Sequence, residues 1–100
     1  MADYHLSLVC PLAAEERLLD ALLVNAGGAV FTSTPVHSHG GAQARLTATE
    51  QVMGRSSAVR VDVLLTEEDL GRLRELLRRE FAGSGLRYWA SPVAFAGDLA

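Results

Sequence analysis

The sequence contains no lysine and no isoleucine, and it has one cysteine and one tryptophan in 100 residues. Without lysine there is no side-chain amine for Schiff-base chemistry. All nine basic residues are therefore arginine, set against twelve acids for a net charge of −3. That balance, with only short Arg clusters, does not supply the basic patch of a nucleic-acid binder. The absences of Lys and Ile, alongside abundant Leu and Ala, are the mark of GC-rich coding rather than of chemistry. The lone Cys10 excludes an intrachain disulfide and suits a reducing compartment. No apolar run has the length of a membrane span, because Asp20 interrupts the longest helical stretch. The opening Met-Ala-Asp-Tyr-His lacks the basic and apolar regions of a signal peptide. The expected location is the cytoplasm, with no membrane insertion and no nucleic-acid partner. No GxSxG, HExxH, P-loop, CxxC or dinucleotide-binding fingerprint occurs, so nothing in the chain points to an enzyme.

What is present is apolar and periodic. Apolar residues make up 49% of the chain, enough for one core in a single domain spanning 1–100. Residues 4–10 alternate, with Tyr4, Leu6, Leu8 and Cys10 on one face, which predicts a strand. Pro11 ends it, and the period changes to that of a helix from Leu12 to Asn25. Leu18, Leu22 and Ala26 form one apolar row and Leu19 with Leu23 a second. Asn25, Gly27 and Gly28 stop this helix. Residues 29–36 read as a second strand, placed at a sheet edge by Pro35.

Residues 57–65 give the clearest strand, with Val59, Val61, Val63 and Leu65 facing one way and Arg60, Asp62 and Leu64 the other. Thr66 then caps a second helix, expected from Glu67 to about Ala82. Its apolar stripe is Leu70, Leu73, Leu77 and Phe81. Glu68 with Arg72, and Glu75 with Arg79, are spaced as i, i+4 ion pairs. A last strand is expected at 86–93, again at an edge because of Pro92. The order βαββαβ predicts an α+β ferredoxin-like sandwich: a four-stranded antiparallel sheet with both helices on one face. The other face would carry Ser7, Val9, Phe31 or its neighbours, Leu64 and one of Tyr88 or Trp89. Such a mixture suits an oligomer interface.

The connection from 37 to 56 is too long for a simple hairpin, with a helical turn possible at 49–53. Loops of this length in compact domains serve as recognition elements or as inert insertions. It opens with His37-Ser38-His39-Gly40-Gly41. In extended backbone His37 and His39 project to one side, where both imidazoles reach a single Zn²⁺, Cu²⁺ or Ni²⁺ ion. A third ligand would have to come from His5, Cys10, Glu50 or another copy of the loop. The bland alternative is two solvated histidines. A third is a backbone site for an anion, since Gly40 and its neighbour allow N–H groups to converge. At the far end, Arg55 is suited to a carboxylate or phosphate. Cys10, on the apolar face of its strand, reads as a small core residue.

Four segments then resemble one family. They are Leu-Val-Cys-Pro at 8–11, Thr-Ser-Thr-Pro-Val-His-Ser-His-Gly at 32–40, Glu-Gln-Val-Met-Gly-Arg at 50–55 and Tyr-Trp-x-x-Pro-Val at 88–93. With the element order, they resemble the PII-like proteins, relatives of nitrogen-regulatory PII and of CutA. They are closest to an uncharacterised DUF branch associated with heavy-metal efflux pumps. The resemblance implies a homotrimer with its open sheet faces packed inward. It implies that 37–56 is the equivalent of the T-loop, which docks on partner proteins, here a membrane transporter or another protein. Two positions of the PII glycine pair hold His here, and the phosphate-gripping lysine has no counterpart. The function implied is a non-enzymatic, metal-responsive regulator or adaptor for an efflux system. The alternative is a sensor of a nucleotide or small anion, gripped by Arg55 and loop backbone N–H groups; Gly40, Glu50 and Arg55 are the expected ligand-binding or effector-loop residues.

Overall fold

The computed structural model describes residues 3–40 and 55–100. Its elements are β1 (Tyr4–Pro11), a 3-10 turn (Leu12–Ala14), α1 (Glu15–Asn25), β2 (Phe31–His39), β3 (Arg55–Leu65), α2 (Glu67–Glu80) and β4 (Arg87–Pro92). The strands form one antiparallel sheet in the order β2-β3-β1-β4. Both helices pack on the same side of it, as the alternation of β1 and β3 demands. Leu6, Leu8, Val61 and Val63 from the sheet join Leu18 and Leu22 of α1 and Leu70, Leu73 and Leu77 of α2 in one core.

Local chemistry sets the ends of the elements. The Thr66 hydroxyl accepts from the Asp69 N–H at 3.1 Å, satisfying one of the free amides that start α2. Arg17 reaches from α1 to the Glu80 carbonyl at 2.6 Å and lies over the Phe81 ring. That contact places a cation at the carbonyl-rich end of α2 and ties the two helices together. Gly27 turns the chain out of α1 with φ +65°, where a side chain would also run into the Asp69 carboxylate. Both prolines expected at edges are there: Pro35 within β2 and Pro92 at the end of β4.

Several expectations need correction. The helix expected from Leu12 begins at Glu15, after a 3-10 turn, and α2 ends at Glu80. Leu19 packs against the core but Leu23 is 70% exposed, because only one side of α1 faces the sheet and α2. Glu68 does pair with Arg72 at 2.8 Å, whereas Glu75 pairs with Arg78, one turn position earlier than Arg79. Arg79 pairs with Glu80 instead. Phe31 lies opposite Val63 and packs against the core, so Thr32 takes the open face beside Asp62. The long connection is entered later than expected, since β2 runs on through His39 and β3 starts at Arg55.

Leu73, on the inner side of α2, is fully buried. Leu73→Ala should cost about 2–5 kcal/mol, from lost transfer energy and the residual cavity. Urea unfolding monitored by circular dichroism reads this loss; a change below about 0.5 kcal/mol would contradict the packing described.

Candidate functional site

The hairpin formed by β2 and β3 carries the residues singled out for ligand binding. His37 is paired in register with Ser57, and His39 with Arg55. Two residues apart on one strand, His37 and His39 share a face, and Arg55 directly opposite His39 shares it too. Both histidines are exposed and Arg55 is half-buried. Gly40 follows with φ +82°, a conformation that breaks the strand. The structure thus brings His37, His39 and Arg55 together at the end of the hairpin. Glu50, and the turn expected at 49–53, lie outside the described residues.

The two other candidate metal ligands lie elsewhere. His5 is six residues back along β1 from Pro11, about 20 Å at the rise of a strand. Pro11 pairs with Ala58, next to the His37 row. Cys10 is buried on the helix side, and burial, followed by the nearby Glu15 charge, pushes its thiol up to about 11. It is protonated at neutral pH, which suits a core residue and not a thiolate ligand. Among the described residues, no three His, Cys, Asp or Glu side chains are grouped to hold a metal.

A second constellation, on the open face, was missed in the sequence. Ser7 and Asp62 are register partners on the two central strands, with Trp89 of β4 on the far side of Ser7. The Ser7 hydroxyl donates to Asp62 Oδ1 at 2.7 Å, and His5 Nε2 lies 2.8 Å from the same oxygen. A carboxylate only accepts, so the His5 proton sits on Nε2. Arg60 donates to both Asp62 oxygens, to Oδ1 at 3.3 Å and Oδ2 at 3.2 Å, and to Ser7 Oγ at 3.2 Å. Its guanidinium also stands 5.6 Å from the centre of the Trp89 ring. Ser7 is wholly buried although no helix covers this face. The alternating pairs His5-x-Ser7 and Arg60-x-Asp62 were the available signal: four polar groups at outward positions of two central strands.

The arrangement contains Ser, His and Asp but is not a catalytic relay. In a triad the serine and the carboxylate meet opposite nitrogens of the imidazole. Here both meet Nε2, and the serine proton is already committed to Asp62. Burial pushes the Asp62 carboxyl up, but hydrogen bonds from Ser7 and His5 and the Arg60 charge outweigh it and hold it below its ordinary value. A depressed carboxyl stabilises the fold above its unfolded pKa, and the contribution fades as pH falls through the folded one. Asp62→Asn should therefore flatten the pH dependence of stability below about pH 4 relative to wild type. Thermal melts across pH 2–7 test this; parallel curves for the two proteins would contradict it.

Comparison with known proteins agrees with this fold. The chain is similar to a DUF3240 family protein from Shewanella baltica OS155, at 14% identity and a TM-score of 0.75, covering 100% of this chain and 99% of that one. It is similar to CPII, a nitrogen regulatory PII-like protein from Thiomonas intermedia K12 bound to ADP, AMP and bicarbonate. That match has 18% identity, a TM-score of 0.74 and coverage of 99% and 98%. It also resembles the periplasmic divalent cation tolerance protein CutA from Archaeoglobus fulgidus, at 15% identity, a TM-score of 0.67 and coverage of 96% and 87%. No curated protein matches the sequence. Among the described residues, no helix is long and apolar enough to cross a membrane. The family model described as "Protein of unknown function (DUF3240)" matches residues 1–100, and with the PII-like βαββαβ sheet already described, the chain belongs to the DUF3240 family.

Proposed function

We propose that this protein is a non-enzymatic, cytoplasmic regulator or adaptor of the PII-like type. It binds a small ligand at the end of the β2–β3 hairpin and signals through 37–56 to a protein partner. The observation that carries this reading is the grouping of His37, His39 and Arg55 on one face at the mouth of the long connection. A ligand there acts by favouring one arrangement of the connection over another.

Three basic groups on one face favour an anion. Arg55 supplies a permanent charge and a bidentate fork, and the imidazoles add donors. The PII-like neighbour described as bound to ADP, AMP and bicarbonate supports this class. The second reading is a divalent metal on the His37 and His39 imidazoles, with Glu50 as a further ligand and a heavy-metal efflux system as the partner. Support for it is the shared exposed face of the two histidines and the likeness to a divalent cation tolerance protein. Calorimetry separates the two. Titration with ADP, AMP and bicarbonate should show binding that Arg55→Ala weakens by roughly 10–100-fold, the worth of one charge-assisted pair. Titration with Zn²⁺, Cu²⁺ and Ni²⁺ should show heats that vanish in His37→Ala/His39→Ala if the metal reading holds. Equally weak heats from all three proteins with every ligand would remove this site.

The working unit is proposed to be a homotrimer with the open sheet faces inward. Trp89 and Leu64 remain 45% and 42% exposed on a face whose polar groups are already satisfied within the chain. That combination can be covered without leaving a buried charge unpaired. Light scattering should give about three times the mass of one chain. Trp89→Glu with Leu64→Glu should shift the mass toward one chain, and a wild-type monomer would rule out the assembly.

A further inference from the structure

A cleft of about 300 Å³ lies between α2 and β4, at the lower limit of the sizes that take small molecules. Leu77 of α2, Phe81 at its end and Leu86 just before β4 give it an apolar lining. Arg74 and Arg78 of α2 and Tyr88 of β4 add polar groups. Gly71 lines it too, from inside α2, where glycine is the poorest choice after proline. Its φ is not positive, and a Cβ there would meet nothing within 4 Å. Neither the backbone nor the packing of this chain calls for glycine at 71. The effect of its missing side chain is a wider cleft.

The charges along this cleft do not balance. Arg78 donates to both Glu75 carboxylate oxygens, at 2.9 and 2.6 Å, so that pair neutralises itself. Arg74 donates through Nε to the Tyr88 hydroxyl at 3.3 Å and makes no other hydrogen bond or ion pair among the described residues. Its Nη1 and Nη2 end is thus a free planar fork, which matches the two oxygens of a carboxylate. The bond to Tyr88 joins this fork to β4 and limits its swing. The Tyr88 hydroxyl accepts that bond and keeps its own proton to donate. One uncommitted cation and one hydroxyl donor therefore stand beside an apolar lining. A few placed polar groups against apolar walls are how small-molecule sites fix orientation.

The geometry points to the α2–β4 cleft as a binding site for a small carboxylate with a compact apolar body. The carboxylate sits on the Nη end of Arg74 and accepts from the Tyr88 hydroxyl. The apolar body covers Leu77, Phe81 and Leu86 in the space beside Gly71. One uncommitted cation suits a monoanion, whereas the phosphate charges of a nucleotide would lack counter-charge here. The cleft lies at the β4 edge, and His37 and His39 stand on β2 at the other edge of the sheet. The site is therefore independent of the ligand proposed for the β2–β3 hairpin.

Benzoate, which has one carboxylate on one apolar ring, is the probe, and amide NMR spectra of the whole chain are the readout. Benzoate should shift resonances of 71–78 and 86–88 and leave those of His37, His39 and Arg55 in place, with saturation in roughly the millimolar range expected of so small a ligand. Arg74→Gln should weaken binding about tenfold and Tyr88→Phe about threefold. Gly71→Leu fills the cleft with a better helix former, so it should remove binding while the spectrum stays that of a folded protein. Acetate lacks the apolar body and benzyl alcohol lacks the charge, and each should bind about tenfold more weakly than benzoate. The inference is overturned by the absence of saturable shifts at the cleft, or by shifts confined to the hairpin. It is equally overturned by wild-type affinity in folded Gly71→Leu or in Arg74→Gln, by acetate binding as well as benzoate, or by ADP displacing benzoate from the cleft.

Discussion

Pairing of β1 with β3 sets Leu6 against Val63, Ser7 against Asp62 and Leu8 against Val61. These two central strands have different chemistry on their two faces, and both faces depend on the same register. A slip by one residue would turn Leu6, Leu8 and Cys10 away from the helices and bring Ser7 into the core. It would also separate the Ser7 hydroxyl from the Asp62 carboxylate to which it donates. The hydrophobic core and the polar network therefore select the same alignment. The edge strands inherit their positions from it. Trp89 faces the open side because it pairs with Ser7, and Tyr88 faces the helices because it pairs with Leu8.

The polar network changes what the open face is. An uncovered sheet of apolar residues would be sticky toward many partners. Here Arg60, Asp62, Ser7 and His5 satisfy one another, and Trp89 and Leu64 supply apolar area beside them. A partner then gains by covering the apolar part without having to supply a counter-charge. The two edges of the sheet differ in what they carry. The β2–β3 hairpin takes its basic groups beyond the last residue of β1, away from the core. The opposite edge, β4, is where helix coverage runs out, and Tyr88 is left 39% exposed. The β2 edge of the hairpin and the β4 edge thus lie on opposite sides of the paired central strands.

Much of this was legible in the order of residues. Val59, Val61 and Val63 alternate so regularly that strand, face and core assignment follow together. Thr66 three residues before Asp69, and Leu70, Leu73 and Leu77 in a stripe, define α2 with its cap. These are local patterns, and local geometry enforces them. The exposure of Leu23 was not legible, because coverage of α1 depends on how far α2 extends beside it. The pairing of Glu75 with Arg78 was not legible either, since i+3 and i+4 neighbours compete on the same helix surface.

The sequence by itself determined the βαββαβ order, the edge positions of Pro35 and Pro92, the inert character of Cys10 and the shared side of His37 and His39. Each follows from a period or a backbone restriction within a few residues. Only the tertiary structure decided that Arg55 stands across from His39, that His5 and Ser7 meet Asp62, and that Arg60 stands over Trp89. Those pairs are separated by tens of residues, from 16 between His39 and Arg55 to 57 between His5 and Asp62. Their meeting is set by sheet register and by where helix coverage ends, and neither is written in any single stretch of the chain.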